Sequence, residues 1–98
     1  MGVQFRPEAE AEAINSTVWY EEQEIGLGSR FREEIESKIA TIEERPFSFP
    51  RIDDTQFRTA FLDKFPFVII FGMEGKLIII ASVFHTSRDP MIIKDRIG

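Results

Sequence analysis

The chain has no cysteine in 98 residues and only one histidine, one tryptophan and one tyrosine. Without cysteine there is no disulfide framework, no thiolate zinc site and no cysteine nucleophile. That usage fits a reducing compartment. Long apolar runs are also missing. Glu74 and Lys76 split the only candidate, so nothing reaches the ~18 apolar residues of a membrane span. Gln4, Arg6, Glu8 and Glu10 interrupt the region where a secretory leader would carry its apolar segment. No phosphate-binding glycine loop, HExxH pair or nucleophile elbow occurs, so neither cofactor nor metal is expected. These features predict a soluble, cytoplasmic, single domain over residues 1–98. A chain this size buries roughly 65% of its unfolded surface, enough for one core without a staple.

Charge is unevenly placed. Residues 1–49 carry five Lys+Arg against eleven Glu, a net of −6, while residues 50–98 are close to neutral at +1. The acidic half would repel phosphate, which argues against non-specific nucleic-acid binding there. A local basic patch in the second half stays open.

Pro7 suits the first turn of a helix, and Glu8, Glu10 and Glu12 favour its positive end. This first helix is expected from Pro7 to about Glu24, with an apolar stripe of Ala11, Ile14 and Val18 broadened by Trp19. Gly26-Leu27-Gly28 permits a sharp reversal. The second helix, from Leu27 or Ser29 to Glu44, has the clearest period: Leu27, Phe31, Ile35, Ile39 and Ile42. The short connection predicts an antiparallel helical hairpin.

Residues 47–54 read as a loop, and Thr55–Leu62 as a strand. Two nearly continuous apolar runs, Phe65–Phe71 and Leu77–Phe84, flank Glu74-Gly75 and predict a strand pair at 67–72 and 77–84. Residues 91–97 read as a short strand or a ragged tail. With Val3–Phe5 as an extended start, the order is β-α-α-β-β-β. The fold class is therefore α+β, a mainly antiparallel sheet with the helical hairpin on one face. A half-exposed hairpin would alternate apolar with polar residues, and these runs do not. Both sheet faces thus need cover. The helices supply one, and a partner chain is expected over the other.

Three residues are candidates for catalysis: Arg58, His85 and Arg88. His85 suits general acid–base work or a plain backbone hydrogen bond at a strand end. Arg58 and Arg88 suit a phosphate or carboxylate, or an ordinary ion pair. Lys94 and Arg96 add cations for partner binding or as surface charges. A two-residue turn at Glu74-Gly75 would set Phe71 opposite Ile78, Ile69 opposite Ile80 and Val68 opposite Ala81. A two-residue turn at Asp63-Lys64 would set Arg58 opposite Ile69, on the face away from His85. One bulge would bring the two to the same face, because a one-residue slip reverses facing. The sequence leaves this open. Asp53-Asp54 reads as a turn, or as a weak metal signal. Trp19 and Tyr20 read as interhelical packing or a stacking platform.

The ordered run Trp19-Tyr20-Glu21-Glu22-Gln23, Gly26-Leu27-Gly28, Phe31, Pro46, Phe49-Pro50, Phe65-Pro66-Phe67 and Val83 through Pro90 resembles the RelE/ParE superfamily of bacterial toxins. The resemblance spans Phe5 to about Pro90. It implies the fold just described, and the toxin half of a type II toxin–antitoxin (plasmid stabilisation) module. The implied partner is a cognate antitoxin, whose extended or helical segment lies along the toxin. The Trp-Tyr, Gly-Leu-Gly and Phe-Pro signatures are closer to the ParE-like branch, which acts on DNA gyrase by protein contact. Arg58 and Arg88 match arginine positions of the family. The alternatives are a RelE-like ribosome-dependent mRNA endoribonuclease and a non-toxic small binding domain. The acidic balance and the missing basic cluster, with Arg51 followed by Asp53 and Asp54, argue against RNA cleavage. Oligomeric state, as homo-oligomer or toxin–antitoxin hetero-oligomer, is not fixed by the sequence.

Overall fold

The computed structural model describes residues 2–87. Helix α1 spans Pro7–Gln23 and helix α2 spans Leu27–Glu44. Pro7 opens α1, with Glu8 and Glu10 in the first turn. The reversal between the helices is tied by Glu21, whose carboxylate accepts hydrogen bonds from the backbone N–H of Gly26 at 2.9 Å and of Gly28 at 3.0 Å. It thereby satisfies donors that the start of α2 would otherwise leave unpaired. Along α2 the expected stripe faces inward: Phe31, Ile35 and Ile42 are buried, and Ile39 packs against the core.

Helix α1 departs from its expected stripe. Ile14, Val18 and Trp19 are 56%, 52% and 55% exposed, and Ala11 is exposed as well. Its inward residues are Ala9, which is fully buried, with Ala13 and Tyr20 packed against the core. Small side chains at 9 and 13 let the helix backbone lie close to the sheet. A helix docked through alanines turns its larger side chains to the flank and outside.

Four strands form one sheet in the order β1-β4-β3-β2: β1 Gly2–Phe5, β2 Arg58–Phe61, β3 Phe67–Glu74 and β4 Leu77–His85. The pairs β2–β3 and β3–β4 are antiparallel, while β1 runs parallel to β4, so the sheet is mixed. Strand β2 is shorter than expected, because Ile52–Phe57 folds into turns, and a short 3-10 turn at Pro46–Ser48 follows α2. The β3–β4 turn is Gly75-Lys76, not Glu74-Gly75, and Gly75 takes φ 61 there. Phe71 therefore faces Ile80 rather than Ile78, Ile69 faces Val83 rather than Ile80, and Val68 faces Phe84 rather than Ala81. Ile70 pairs with Ser82 and Phe71 with Ile80, which leaves Ala81 as the extra residue of a β-bulge.

The sheet separates two apolar clusters. Phe31, Ile35, Ile42, Ile69, Phe71, Ile78, Ile80 and Val83 form the main core under the helices. Phe57, Val68, Ile70, Ala81 and Phe84 form the second on the opposite face, with Ile52 packed against it. This corrects the expectation of a bare second face: the residues of that cluster are buried within the chain itself, while Phe61 of β2, opposite Val68, is 57% exposed. Part of the cover is local. A Cβ at Gly72 would come within 3.0 Å of the Phe57 ring, so glycine there admits the ring onto the sheet. The Arg6 guanidinium lies 5.5 Å from the Phe57 ring centre.

Strand β1 pairs only with residues 77–80, and α1 lies along β4 beyond it. There Glu12 accepts hydrogen bonds from the Ser82 hydroxyl at 3.1 Å and the Val83 N–H at 3.0 Å. A strand edge that would expose donors is closed by a helix carboxylate.

Candidate functional site

The side chains that α1 turns away from the sheet do not stand alone. Ile14 and Val18 lie beside Phe5, Ala13 and Thr17, and across from Ile35 and Ile39 of α2, where they line a groove of about 430 Å³. Its lining is predominantly apolar. Arg32, Glu10 and Glu36 are its charged members. The groove arises because α2 follows a regular stripe while α1 docks through alanines, so the larger α1 side chains line an open seam. Contiguous exposed apolar surface of this kind marks an interaction site more often than scattered single residues do.

Arg58 lies at the opposite end of the sheet's helical face. It pairs with Phe71 in β3, and an isolated bridge pairs it with Arg51 on its other side. Its Nη1 donates to the Phe49 carbonyl, and its guanidinium sits 5.3 Å from the centre of the Phe47 ring. Phe47 is 72% exposed. Arg51 donates through Nε to the Thr55 carbonyl at 3.1 Å. A cleft of about 330 Å³ is lined by Phe47, Arg51, Asp54, Gln56 and Arg58 over a floor at Phe71 and Gly72.

His85 ends β4 opposite Phe67, whose ring it meets edge-on at 5.3 Å. Its Nδ1 accepts the Ser87 N–H at 3.1 Å and lies 2.7 Å from the Ser87 hydroxyl oxygen. With Nδ1 accepting from a backbone N–H, the neutral ring carries its proton on Nε2. The cleft beside it holds Ser16, Trp19, Tyr20 and Phe67, and burial pushes the Tyr20 hydroxyl pKa up. Trp19 and Tyr20 meet edge-to-face at 5.2 Å, and Tyr20 also contacts Phe31 and Phe65. Tyr20 is thus part of the packing between helices and sheet, while Trp19 reaches solvent.

Arg58 and His85 share the helical face. The loop before β3 shifts the expected β2 register by two, which preserves facing, and the bulge at Ala81 then reverses the end of β4. They do not converge. Their partners on β3, Phe71 and Phe67, are four residues apart, or about 14 Å at ~3.4 Å per residue. Arg88, Lys94 and Arg96 lie outside the described residues, as does the reading of residues 91–97. Asp53 takes φ 47 in its turn, and among the described residues no three metal-ligating side chains come together. No helix among them is long and apolar enough to cross a membrane. The helix groove and Arg51 were missed from the sequence. The step from Ile14 to Val18 is visible in the sequence, but its spacing points to a core-facing stripe.

No family model matches the chain, and no curated protein matches it. Among solved structures, a chain of the chromosomal ParDE TA system from P. aeruginosa matches at a TM-score of 0.64 and 16% sequence identity. The match covers 89% of this chain and 97% of that one. The β-α-α-β-β-β order, the α+β class and this superposition agree, and the fold of the chain is ParE-like.

Proposed function

We propose that the chain is the toxin half of a type II toxin–antitoxin module, held inactive by an antitoxin segment seated along the helical hairpin. The observation that carries this reading is the apolar groove between α1 and α2, present on a fold similar to a chain of a ParDE system. Ile14 and Val18 are exposed beside a sheet that buries an apolar cluster on each face, and Phe61 of β2 is 57% exposed, so the apolar surface left for a partner includes this seam. The ParE-like action, protein contact with DNA gyrase in the cytoplasm, fits the net charge of −5. It also fits the separation of Arg58 from His85. A ribonuclease reading needs Arg58, His85 and Arg88 as one anion site on a single sheet face. Arg58 and His85 share the helical face, but their partners on β3 are four residues apart, and Arg88 lies outside the described residues.

Expression of the chain alone should arrest growth, and co-expression with the product of an adjacent antitoxin gene should restore it. Growth unaffected by expression alone would leave the chain a non-toxic binding domain. Gyrase action is tested separately, with purified protein, gyrase and supercoiled plasmid. Unchanged supercoiling without a trapped cleavage complex removes gyrase as the target.

A further inference from the structure

Arg51 and Arg58 are directly opposite one another in an antiparallel bridge, so their side chains leave the same side of the backbone. Like charges placed that way oppose folding. Among the described residues, neither arginine forms an ion pair with a carboxylate, although Asp54 lines the same cleft. Each spends one donor on a backbone carbonyl, Arg58 on Phe49 and Arg51 on Thr55. Those bonds aim the guanidinium groups and leave most of their N–H donors for a ligand. Phe47 lies over Arg58, mostly exposed, and supplies an apolar wall beside the charge.

We propose that this cleft binds a single carboxylate side chain, with an adjacent apolar residue, from a peptide segment of a protein partner. An anion set between the two guanidinium groups would relieve their repulsion and accept charge-assisted hydrogen bonds from both. A peptide carboxylate fits better than a nucleic-acid backbone. Asp54 lines the cleft, and the chain carries a net −5, so a polyanion would meet repulsion that a single carboxylate avoids. The site stands apart from the helix groove, and the proposal does not depend on what fills that groove.

The test is selection of a random peptide library displayed on phage against the full chain, followed by titration of the selected peptides. The expected result is enrichment of Asp or Glu next to an aliphatic or aromatic residue. Affinity should then fall about tenfold or more when the peptide acid becomes its amide, or when the protein carries Arg51→Gln with Arg58→Gln. Arg51→Gln alone keeps the Arg58 bond to Phe49 and guards against a folding artefact. It should lose affinity without a lower unfolding midpoint, because removing one of two opposed like charges relieves their repulsion. Selection without acidic enrichment, no selected binder, or equal affinity for the double variant would each overturn the proposal. So would an oligouridylate that binds the wild type more tightly than the peptides and loses that affinity in the same variants, because the cleft would then read phosphate.

Discussion

Replacing Ile14 and Val18 together by serine separates a binding surface from a core. Serine, isoleucine and valine have similar helix propensities, so the helix itself changes little. Fully burying such a side chain contributes about 1.5–3 kcal/mol. Ile14 and Val18 are each slightly more than half exposed, so roughly 1–1.5 kcal/mol apiece is left for a partner to gain. The double variant should therefore bind the proposed antitoxin about 2–3 kcal/mol more weakly, roughly 30- to 150-fold in Kd. Its own stability should fall much less than a core truncation of the same size, which costs about 2–5 kcal/mol per residue. Titration calorimetry gives the first quantity and urea unfolding the second, with the m-value as a check on the native state. An unchanged Kd would show that the antitoxin does not occupy the groove. A stability loss as large as a core truncation would show that the two residues are buried in solution.

Glu12→Ala should destabilise the chain by about 2–4 kcal/mol, because the buried Ser82 hydroxyl and the Val83 N–H lose their acceptor together. Urea unfolding checks this, and a loss below about 0.5 kcal/mol, the scatter of ordinary surface changes, would refute it. Tyr20 is the only tyrosine, so ultraviolet titration of phenolate reports it alone. Burial raises its folded-state pKa above the unfolded value, so the folded state holds its proton longer than the unfolded state. The stability tied to Tyr20 is thus fully present below the unfolded pKa near 10.0 and is lost as pH rises through the folded one. Tyr20→Phe should flatten that alkaline loss, and an alkaline limb identical to wild type would refute the assignment.

The element order was legible because each signal was local. Pro7 and the early glutamates start α1, the regular stripe from Leu27 to Ile42 sets α2, and Gly75 marks the last turn. The inward face of α1 was not legible, because it docks through Ala9 and Ala13 while its larger apolar residues point elsewhere. Hydrophobicity locates a buried face only when burial is achieved by large side chains. The strand register was hidden for a related reason. Ile69, Ile70 and Phe71 are all buried, as are Ile78 through Phe84, so there is no alternation to fix which residue faces which. The Ala81 bulge leaves no mark in such a run. The facing of His85 depended on it, and so did the relation of His85 to Arg58.

The same apolar runs also explain where a partner belongs. Their lack of alternation does mean that both sheet faces are covered, but the cover comes from within the chain: the helices on one side, and Phe57 with Ile52 among the groups buried on the other. A sheet with a buried apolar cluster on each face does not need a second polypeptide to fold. What calls for one is the seam left when α1 approaches on alanines and turns Ile14 and Val18 outward. Surface of that kind is costly to solubility and contributes little to the stability of the isolated chain, so its presence is better accounted for by association than by folding. The two functions of apolar residues are therefore divided between elements. The strands bury most of theirs in the fold, with Phe61 exposed, and α1 leaves part of its own at the surface, where the proposed partner would sit.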